Sequence, residues 1–529
     1  MTITHSPSRR GLLGALATAP VLAGLPSRAR ADEVLVEHLV IGAGYGGAVL
    51  AERLTAAGKN VVMLEMGHDW ARLGEPFTKI TAPDWRSMWF RDRTALPLKS
   101  FLGISVDKRI DRGPGVLDRM DFGGMSVYCG RGVGGGSLVN GAIAVSPRRG
   151  DVEERLGFLD VDRFFDVHLP RARAGLGVKN HDEAFIDSSP WYQFSRVAKA
   201  TAERAAYQTM LVPTTYDPQY LKDEAAGKVP GSATAGELIF GNNHGKLSLD
   251  KTYLARARAT GRLLLRSMTK ATTLTRRAAG GWLVTLEQVN ADGSHTEQTP
   301  IAARRVYLAA GSVGTPELLL RSRAQGLLPQ LPEAVGKGWG PNGNVMVSRS
   351  TRAWEPVGAK QPTIAVHGID AWTGEDKLSR VFAEVAPLPA GVETWLNLYL
   401  AVTDNPNRGQ FGWDAANNRL TLDYGPSHAA PSVAAVKHVF DDMNSVAGTR
   451  YRTDLFANGT GFASNFTYHP LGGAVIGQAT DLTGQLLGHD GVYIADGSLV
   501  PGALGVNPFV TITALAEMVA EHAVLHADA

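Results

Sequence analysis

The stretch Val40-Ile41-Gly42-Ala43-Gly44-Tyr45-Gly46-Gly47 decides the fold of this 529-residue chain. Its apolar start predicts a buried strand, and its glycines predict a tight turn into a helix. In such a turn Gly42 permits the bend, Gly44 lets a phosphate approach the backbone, and Gly47 lets the helix pack closely on its strand. The unpaired N–H groups and the positive dipole end of the helix would then face an anion. We therefore predict a dinucleotide-binding turn.

The flanking segments strengthen this prediction. Residues 48–57 have the pattern of a helix that ends at Gly58, and Val61–Leu64 has the pattern of a second strand. Glu65 follows that strand, 18 residues after Gly47. The expected spacing is about 20 residues for an acid that accepts hydrogen bonds from a ribose. The alternative is an ordinary βαβ unit whose second strand ends in an acid by chance.

Composition limits the classes of protein to consider. Hydrophobic residues make up 44% and charged residues 20%, which are globular values, and the length is sufficient for two domains. The net charge of +2 gives no electrostatic reason to expect a nucleic-acid partner. The single cysteine, Cys129, excludes an intramolecular disulfide, and we expect a small buried residue there rather than a nucleophile. No metal site is predicted, because no cysteine–histidine set has ligand spacing.

The first 31 residues have the pattern of an export signal. Ser8-Arg9-Arg10 precedes an apolar run through Leu25, and Ala29-Arg30-Ala31 is a small-x-small cleavage site. This resembles a twin-arginine signal peptide, and an ordinary secretory signal or a disordered tail is the alternative. We therefore expect a secreted protein. No later segment has the pattern of a transmembrane helix.

Three more segments resemble nucleotide-binding elements. Arg305–Glu317 runs from a strand through a glycine turn at Gly311 into a helix, and Gly491–Gly497 is a strand that ends in Asp496. Asn507-Pro508-Phe509 opens a helix that extends to about His522. Between the first glycine turn and these segments, Gly130–Gly141 holds a dense run of glycines that suits a backbone lying flat against a ring or a phosphate.

Taken together, these motifs resemble the glucose–methanol–choline (GMC) flavin oxidoreductases. GVGGGSLVNG at residues 132–141 and AAGSVGTPELLL at residues 309–320 are similar to the two signature regions of that family. The resemblance covers essentially the whole chain after the signal. It implies an α/β fold, with a Rossmann-like FAD-binding domain assembled from discontinuous segments and a substrate domain of mixed β-sheet and helices.

The resemblance also implies a division of the chain. Residues 81–119 are a candidate lid, within which Trp85–Phe101 interleaves apolar and basic side chains. That stretch is a core segment with partly exposed basic residues or, alternatively, a lid that contacts a membrane surface. The expected FAD-binding segments are residues 32–80, 120–145, 241–337 and 471–529. The expected substrate-binding segments are residues 146–240 and 338–470.

Within the family, three segments look like the sterol-oxidising branch that binds FAD non-covalently. These segments are Phe382–Pro387, Tyr468–Gly473 and Gly505–Phe509. The resemblance implies a 3β-hydroxysteroid substrate that is oxidised at C3, with molecular oxygen as electron acceptor, and is then isomerised from the Δ5- to the Δ4-ketone. Alternatives are oxidation of another alcohol, a lyase that uses FAD structurally, and a sterol-binding protein without turnover.

Three residues are expected to carry the chemistry. Glu384 lies in an apolar run, where a carboxylate is either an edge residue or a base with a raised pKa; the resemblance favours a base that moves a proton from C4 to C6. His469 suits holding the substrate hydroxyl, because imidazole both donates and accepts. Asn507 is placed to cap the last helix and to face the substrate. Whether His469 or Glu384 takes the alcohol proton stays open.

The remaining site residues are cofactor contacts. The glycine motifs supply Gly42, Gly44, Gly47, Gly135 and Gly311. The resemblance adds FAD contacts at Glu65, Asn140, Gly141, Ile143, Asp496, Pro508 and Phe509.

Overall fold

A computed structural model describes residues 35–73, 82–101, 104–237, 239, 244–372, 377–388 and 395–527. Leu35–Ala529 forms one compact unit. The predicted signal, residues 1–31, lies outside the described residues, as does part of the candidate lid. In the part of the chain that is described, no helix combines the length and the apolar character needed to cross a membrane.

The first sheet is the dinucleotide-type sheet expected from the glycine turn. Its strands are β1 (Leu35–Ile41), β2 (Val61–Leu64), β8 (Leu263–Arg266), β9 (Thr269–Arg276), β10 (Trp282–Val289), β11 (His295–Leu308) and β20 (Val492–Ile494). Their order is β8-β2-β1-β11-β10-β9, with β20 beside β11. The strands β8, β2, β1, β11 and β20 run parallel, whereas β9 and β10 form an antiparallel extension. The fold is therefore of the α/β class.

Helices cover this sheet and the rest of the unit. The α-helices are α1 (Tyr45–Ala56), α2 (Trp70–Leu73), α3 (Arg149–Leu156), α4 (Val161–Arg163), α5 (Leu169–Leu176), α6 (Glu183–Ser188), α7 (Gln193–Arg204), α8 (Pro218–Ala225), α9 (Tyr253–Ala259), α10 (Gly311–Ala324), α11 (Pro426–Ala447) and α12 (Phe509–Leu525). Helix α1 packs against α9 and α12. It begins three residues earlier than its apolar pattern predicts, because Gly44 is already its extended N-cap.

A second sheet faces the site. Its strands are β7 (Gln208–Leu211), β12 (Val345–Ser350), β13 (His367–Ala371), β14 (Val381–Ala386), β15 (Leu396–Thr403) and β18 (Phe462–Ala463). Their order is β18-β12-β15-β14-β13-β7, and all neighbours are antiparallel. One face packs against α7 and α11 in a shared hydrophobic cluster. Alternation along the strands directs every second side chain to the opposite face.

Short strands complete the fold. They are β3 (Ser100–Phe101) with β4 (Ile104–Ser105), β5 (Leu117–Asp121) with β6 (Ser126–Gly130) and β19 (Phe466–Thr467), and β16 (Gln410–Asp414) with β17 (Arg419–Asp423). The pairing of β19 with β6 matters most for function. It brings the segment before His469 beside the strand that runs into the glycine-rich stretch at residues 130–141.

Candidate active site

The carboxyl ends of four parallel strands meet at one edge of the first sheet. Gly42 follows β1, Glu65 follows β2, the Gly311 turn follows β11, and Asp496 follows β20. Open α/β sheets bind ligands at this edge, because the turns after adjacent strands form a crevice there. The structure thus brings together four predicted cofactor residues that span more than 450 positions of sequence.

Gly44 differs from the other glycines of its turn. A Cβ added at Gly42 or Gly47 would lie 2.3 Å from Ala309 O or 2.0 Å from Gly42 O, respectively, so these two glycines are required by backbone packing. A Cβ at Gly44 would have Gly135 Cα as its nearest non-adjacent neighbour, at 4.0 Å. Gly44 is the N-cap of α1 and lines the cavity described below. A phosphate can therefore approach this backbone.

Gly46 is a packing residue that the sequence reasoning missed. A Cβ there would lie 1.7 Å from Ala495 O, directly after strand β20. Only glycine lets α1 approach this turn so closely. The sequence shows two adjacent glycines, Gly46 and Gly47. The residue against which Gly46 packs, Ala495, lies some 450 positions later, so the reason for this glycine is visible only in the tertiary structure.

Glu65 is buried and held by backbone donors. Its Oε2 accepts from Ala43 N at 3.0 Å, and its Oε1 accepts from Gly67 N at 2.9 Å and Gly132 N at 3.2 Å. Burial raises the pKa of this carboxyl, while the three N–H donors oppose the shift. The carboxylate connects the first glycine turn to the glycine-rich stretch and lines the cavity, where spare lone pairs can accept a ribose hydroxyl.

Asp496 has the same kind of role at the other turn. Its Oδ2 accepts from Gly311 N at 2.8 Å and from Thr315 Oγ1 at 2.6 Å, and its Oδ1 accepts from Ser498 N at 2.9 Å. Burial raises its pKa, and these donors oppose the shift. Asp496 thereby fixes the start of α10 against the turn after β20.

The glycine-rich stretch packs on the first turn. Gly135 has a φ of +51°, and a Cβ there would lie 2.6 Å from Gly44 Cα. Asn140 Nδ2 donates to the Tyr45 hydroxyl at 2.6 Å, and the Tyr45 ring stacks on Phe509 with centroids 5.1 Å apart. Tyr45 was not singled out from the sequence, although it lies inside the fingerprint.

One cavity of about 620 Å³ joins these turns to the second sheet. Every site residue predicted from the sequence lines it except Gly47, which packs behind the turn. The lining includes Gly42, Gly44, Glu65, Gly135, Asn140, Gly141, Ile143, Gly311, Glu384, His469, Asp496, Asn507, Pro508 and Phe509. From the candidate lid, Trp89, Leu96, Pro97 and Leu98 line it as well. No group of described histidine, cysteine, aspartate or glutamate side chains could hold a metal ion.

Glu384 projects into the apolar part of this cavity. Its strand neighbours Ala383 and Val385 pack into the helix-covered cluster, so alternation along β14 directs Glu384 to the opposite face. Its cross-strand neighbour Leu400, whose own partner on β12 is Met346, lines the cavity beside it. Burial among these side chains raises the pKa of Glu384 to about 7, although Asn507 donates to it. A carboxyl with this pKa can accept and return a proton near neutrality.

His469 is fixed at both its backbone and its ring. Its backbone N donates to Thr467 Oγ1 at 2.8 Å, and its Nδ1 lies 3.0 Å from Asn344 Nδ2. Asn344 Oδ1 accepts from Thr467 Oγ1 at 2.9 Å, which leaves the Asn344 amide N–H to donate to the ring. A neutral ring that accepts at Nδ1 carries its hydrogen on Nε2. Burial lowers the pKa of His469 to about 4, so the ring is neutral at pH 7.

Asn507 lies between the other two groups. Its Nδ2 donates to Glu384 Oε1 at 2.5 Å and is 3.5 Å from His469 Nε2. The sequence also predicted Asn507 as the cap of the last helix, and this is wrong. The N-cap of α12 is Pro508, and the Asn507 side chain turns into the cavity. The three groups therefore form one cluster, although 123 residues separate Glu384 from Asn507.

Comparison with protein families gives two matches. The family described as GMC oxidoreductase, C-terminal, matches residues 342–457, and the family described as GMC oxidoreductase matches residues 415–516. Together these ranges contain Asn344, Glu384, His469 and Asn507. The resemblance to the GMC oxidoreductases is therefore confirmed by a part of the chain that follows the two glycine signature regions at residues 132–141 and 309–320.

Similar curated proteins cover almost all of the chain. A cholesterol oxidase of Mycobacterium tuberculosis is 26% identical over 91% of this chain and 90% of its own length. A cholesterol oxidase of Acinetobacter baumannii is 22% identical over 91% of this chain and 93% of its own. An uncharacterized GMC-type oxidoreductase of Sinorhizobium fredii is 24% identical over 93% and 95%, respectively.

A solved structure shows the same fold. The crystal structure of pyridoxine 4-oxidase from Mesorbium loti superposes with a TM-score of 0.61 at 15% identity. The match covers 92% of this chain and 99% of that one. It confirms the α/β fold predicted from the sequence.

Proposed function

The chain carries the C-terminal domains of the GMC oxidoreductases, and from this premise we propose that it is an FAD-dependent oxidase of 3β-hydroxysteroids that also isomerises its product. One observation carries the proposal. Glu384, a buried carboxyl with a pKa of about 7, accepts a hydrogen bond from Asn507 in an apolar cavity. The same cavity extends to the glycine turns at the edge of the first sheet, where FAD is expected to bind. The similarity to cholesterol oxidases supports a sterol as the occupant of the apolar part.

FAD suits the residues at the sheet edge. Gly44 leaves room for a phosphate, the N-terminus of α1 offers unpaired N–H groups, and Glu65 can accept from a ribose. When bound, FAD supplies a two-electron acceptor, and its reoxidation by molecular oxygen yields hydrogen peroxide. Phe509 and the N-terminus of α12 line the same cavity, so the helix dipole would supply positive potential to a flavin ring bound there.

The protein's own groups divide the proton chemistry. His469, whose Nε2 carries hydrogen, donates to the C3 oxygen of the substrate and orients it. Its pKa of about 4 makes it a poor base, whereas the pKa of about 7 suits Glu384 to take the alcohol proton. The C3 hydrogen would leave as hydride to the electron acceptor, and the alcohol proton would join it in the hydrogen peroxide that is formed. Glu384, ionised again, then takes a proton from C4 of the ketone and returns it at C6, so the double bond becomes conjugated.

A direct experiment tests this proposal. The purified protein is mixed with cholesterol, and hydrogen peroxide, enone absorbance and flavin bleaching under anaerobic conditions are followed. We expect all three signals. Bleaching by another alcohol but not by sterols would reassign the substrate. Turnover without bleaching would favour a lyase, and sterol binding without bleaching or product would favour a carrier.

We further propose that FAD is held non-covalently. The thiol of Cys129 lines the cavity, but burial raises its pKa to about 11, so it is not a thiolate at neutral pH. Acid precipitation should therefore release all flavin into the supernatant. Flavin that remains with the precipitated protein would contradict this proposal.

We also propose export through the twin-arginine signal of residues 1–31, supported by the Arg9-Arg10 pair and the Ala29–Ala31 cleavage pattern. Replacing both arginines by lysine should retain the protein inside the cell. Equal export of this variant would contradict the twin-arginine route.

For the candidate lid, Leu96 and Leu98 line the cavity beside the exposed Lys99, which supports transient contact with a sterol-bearing membrane. Co-sedimentation with cholesterol-containing vesicles tests that contact.

A further inference from the structure

A single tight turn contacts both segments that carry His469 and Asn507. The turn is Pro341-Asn342-Gly343-Asn344, and it leads directly into β12. Asn342 and Gly343 have φ values of +54° and +62°, and Asn344 N donates to Pro341 O at 3.2 Å. Two central residues with positive φ and an Asn-Gly pair are typical of a type I′ turn. We call these four residues the Asn-Gly turn.

Asn342 clamps the backbone just before Asn507. Its Nδ2 donates to Val506 O at 2.9 Å, and its Oδ1 accepts from Leu504 N at 2.8 Å. The side chain is almost fully buried, with 1% of its surface exposed. A buried amide with both ends paired reproduces the two hydrogen bonds of a strand partner. Asn342 therefore fixes the backbone position from which the Asn507 side chain enters the cavity.

Asn344, two residues later, holds the His469 ring through the 3.0 Å contact to Nδ1. Its other end accepts from Thr467, and Thr467 in turn accepts from the His469 backbone. Before the turn, Gly340 and Leu471 exchange two backbone hydrogen bonds of 2.9 and 3.0 Å. The chain on both sides of His469 is thus attached to the same element that clamps the Asn507 segment.

We propose that Asn342 and Asn344 are positioning residues that set the distance between His469 and Asn507 and fix the hydrogen of the His469 ring on Nε2. The turn packs closely on β15, because a Cβ at Gly343 would lie 2.4 Å from Thr403 O, and its Asn-Gly pair suits the two left-handed positions of a type I′ turn. The effect on rate rests on the proposed function, whereas the ring tautomer and the clamp can be measured without a substrate.

The first test reads the His469 ring directly. Flavin-loaded protein labelled with ¹⁵N-histidine is studied by NMR, with His469→Gln to assign the resonances. We expect hydrogen on Nε2 at pH 7 in the wild type. In Asn344→Asp the new carboxylate accepts from the ring, so hydrogen should move to Nδ1 and the pKa of the ring should rise. Hydrogen on Nδ1 in the wild type would overturn the assignment to Asn344, whether or not the variant loads flavin.

A matched control separates this role from general damage. Asn397→Asp also places a carboxylate at a buried asparagine of the same sheet, on β15, where the amide donates to Phe194 O. We expect this variant to lose stability but to keep the wild-type His469 spectrum. An Asn344→Asp protein with an unchanged ring spectrum would also overturn the inference.

The second test measures whether the two hydrogen bonds of Asn342 hold the backbone at Leu504 and Val506. Asn342→Gly keeps a residue suited to positive φ but removes both side-chain hydrogen bonds. Deuterium exchange of the peptide containing Leu504 should become at least about tenfold faster, and kcat should fall at least about tenfold with little change in KM. Unchanged exchange at Leu504, or faster exchange with full kcat in a sterol-active enzyme, would contradict a positioning role for Asn342.

Discussion

Glu384 shows how much one residue depends on its surroundings. In the sequence it is a glutamate in an apolar run, and exposed glutamates are common. In the structure only 5% of its surface is exposed, and Leu400 and Met346 lie along the same cavity wall. The desolvation by these neighbours, opposed only by one hydrogen bond from Asn507, raises its pKa to about 7. The residue is thereby suited to accept a proton and to release it again.

Glu384→Gln tests that role most directly. The amide cannot take a proton, so the rate of sterol oxidation should fall by about 10²- to 10⁴-fold, and the ketone that does form should remain the Δ5 isomer. Peroxide release and enone absorbance measure the two steps separately. His469→Gln is the control variant for comparison with Glu384→Gln. Glutamine at position 469 retains an N–H donor, and the proposed base Glu384 stays in place. Normal enone output from Glu384→Gln would refute the base assignment.

The pH dependence follows from the same pKa. The base must be ionised, so kcat/KM should rise with pH and reach half its plateau near pH 7, with loss of activity below. His469 has a pKa of about 4 and stays neutral throughout this range. Steady-state rates between pH 5 and 9 provide the measurement. A profile that is flat from pH 5.5 to 8 would contradict a raised pKa at Glu384.

At the scale of elements, the glycines of the first turn differ in what surrounds them. Gly42, Gly46 and Gly47 each lie against backbone, whereas the open side of Gly44 faces the cavity. The same element thus holds glycines that backbone packing requires and one that is predicted to bind the cofactor. The second sheet shows a comparable division, because alternation sends Val381, Ala383 and Val385 to the helices and Glu384 to the cavity.

Gly44→Val should therefore fold without binding its cofactor well. The side chain would occupy the space of a phosphate, and the loss of charge-assisted contacts of about 1.5–3 kcal/mol lowers FAD affinity by roughly tenfold to a hundredfold or more. Flavin absorbance and far-ultraviolet circular dichroism measure binding and folding, respectively. Gly47→Val is the control and should impair folding itself. A Gly44→Val protein with full flavin content would contradict the proposed phosphate-binding role of Gly44.

At the scale of the whole molecule, buried histidines couple stability to pH. His181 is nearly buried, and neither of its ring nitrogens has a hydrogen-bond partner among the described residues. Burial, assisted by nearby His367, lowers the pKa of His181 to about 4. Because the pKa is lower in the folded protein, the unfolded chain binds the proton first. The corresponding stability is present above pH 6.5 and is lost as pH falls toward 4.

His181→Leu should flatten this dependence. The wild type should lose about 2 kcal/mol more of its unfolding free energy between pH 7 and 5 than the variant does. Urea unfolding of the flavin-loaded protein at the two pH values measures the difference. His438→Leu, at an exposed position of α11, controls for the loss of one histidine. Equal losses in wild type and His181→Leu would show that His181 is not the responsible group.

Much of the fold could be predicted because its signals are local. The strand–turn–helix at Val40–Gly47 and the acid after β2 lie within about 30 residues, and backbone rules for glycine act over that range. One prediction failed where local rules compete. Asn507 is not the cap of the last helix, because Pro508 takes that position.

The sequence by itself determined a dinucleotide-type turn, its acid partner and the family resemblance, because these depend on short-range backbone geometry and on residue identity. Only the tertiary structure decided that Glu384, His469 and Asn507 meet, and that Asn342 and Asn344 hold two of their segments. It also decided that, among the glycines of the first turn, Gly44 is the one where an added Cβ would meet no close backbone atom. The physical reason is distance along the chain. Burial, and with it each pKa, arises from neighbours that only folding brings together, such as Leu400 from the adjacent strand and Asn507 from 123 residues away around Glu384.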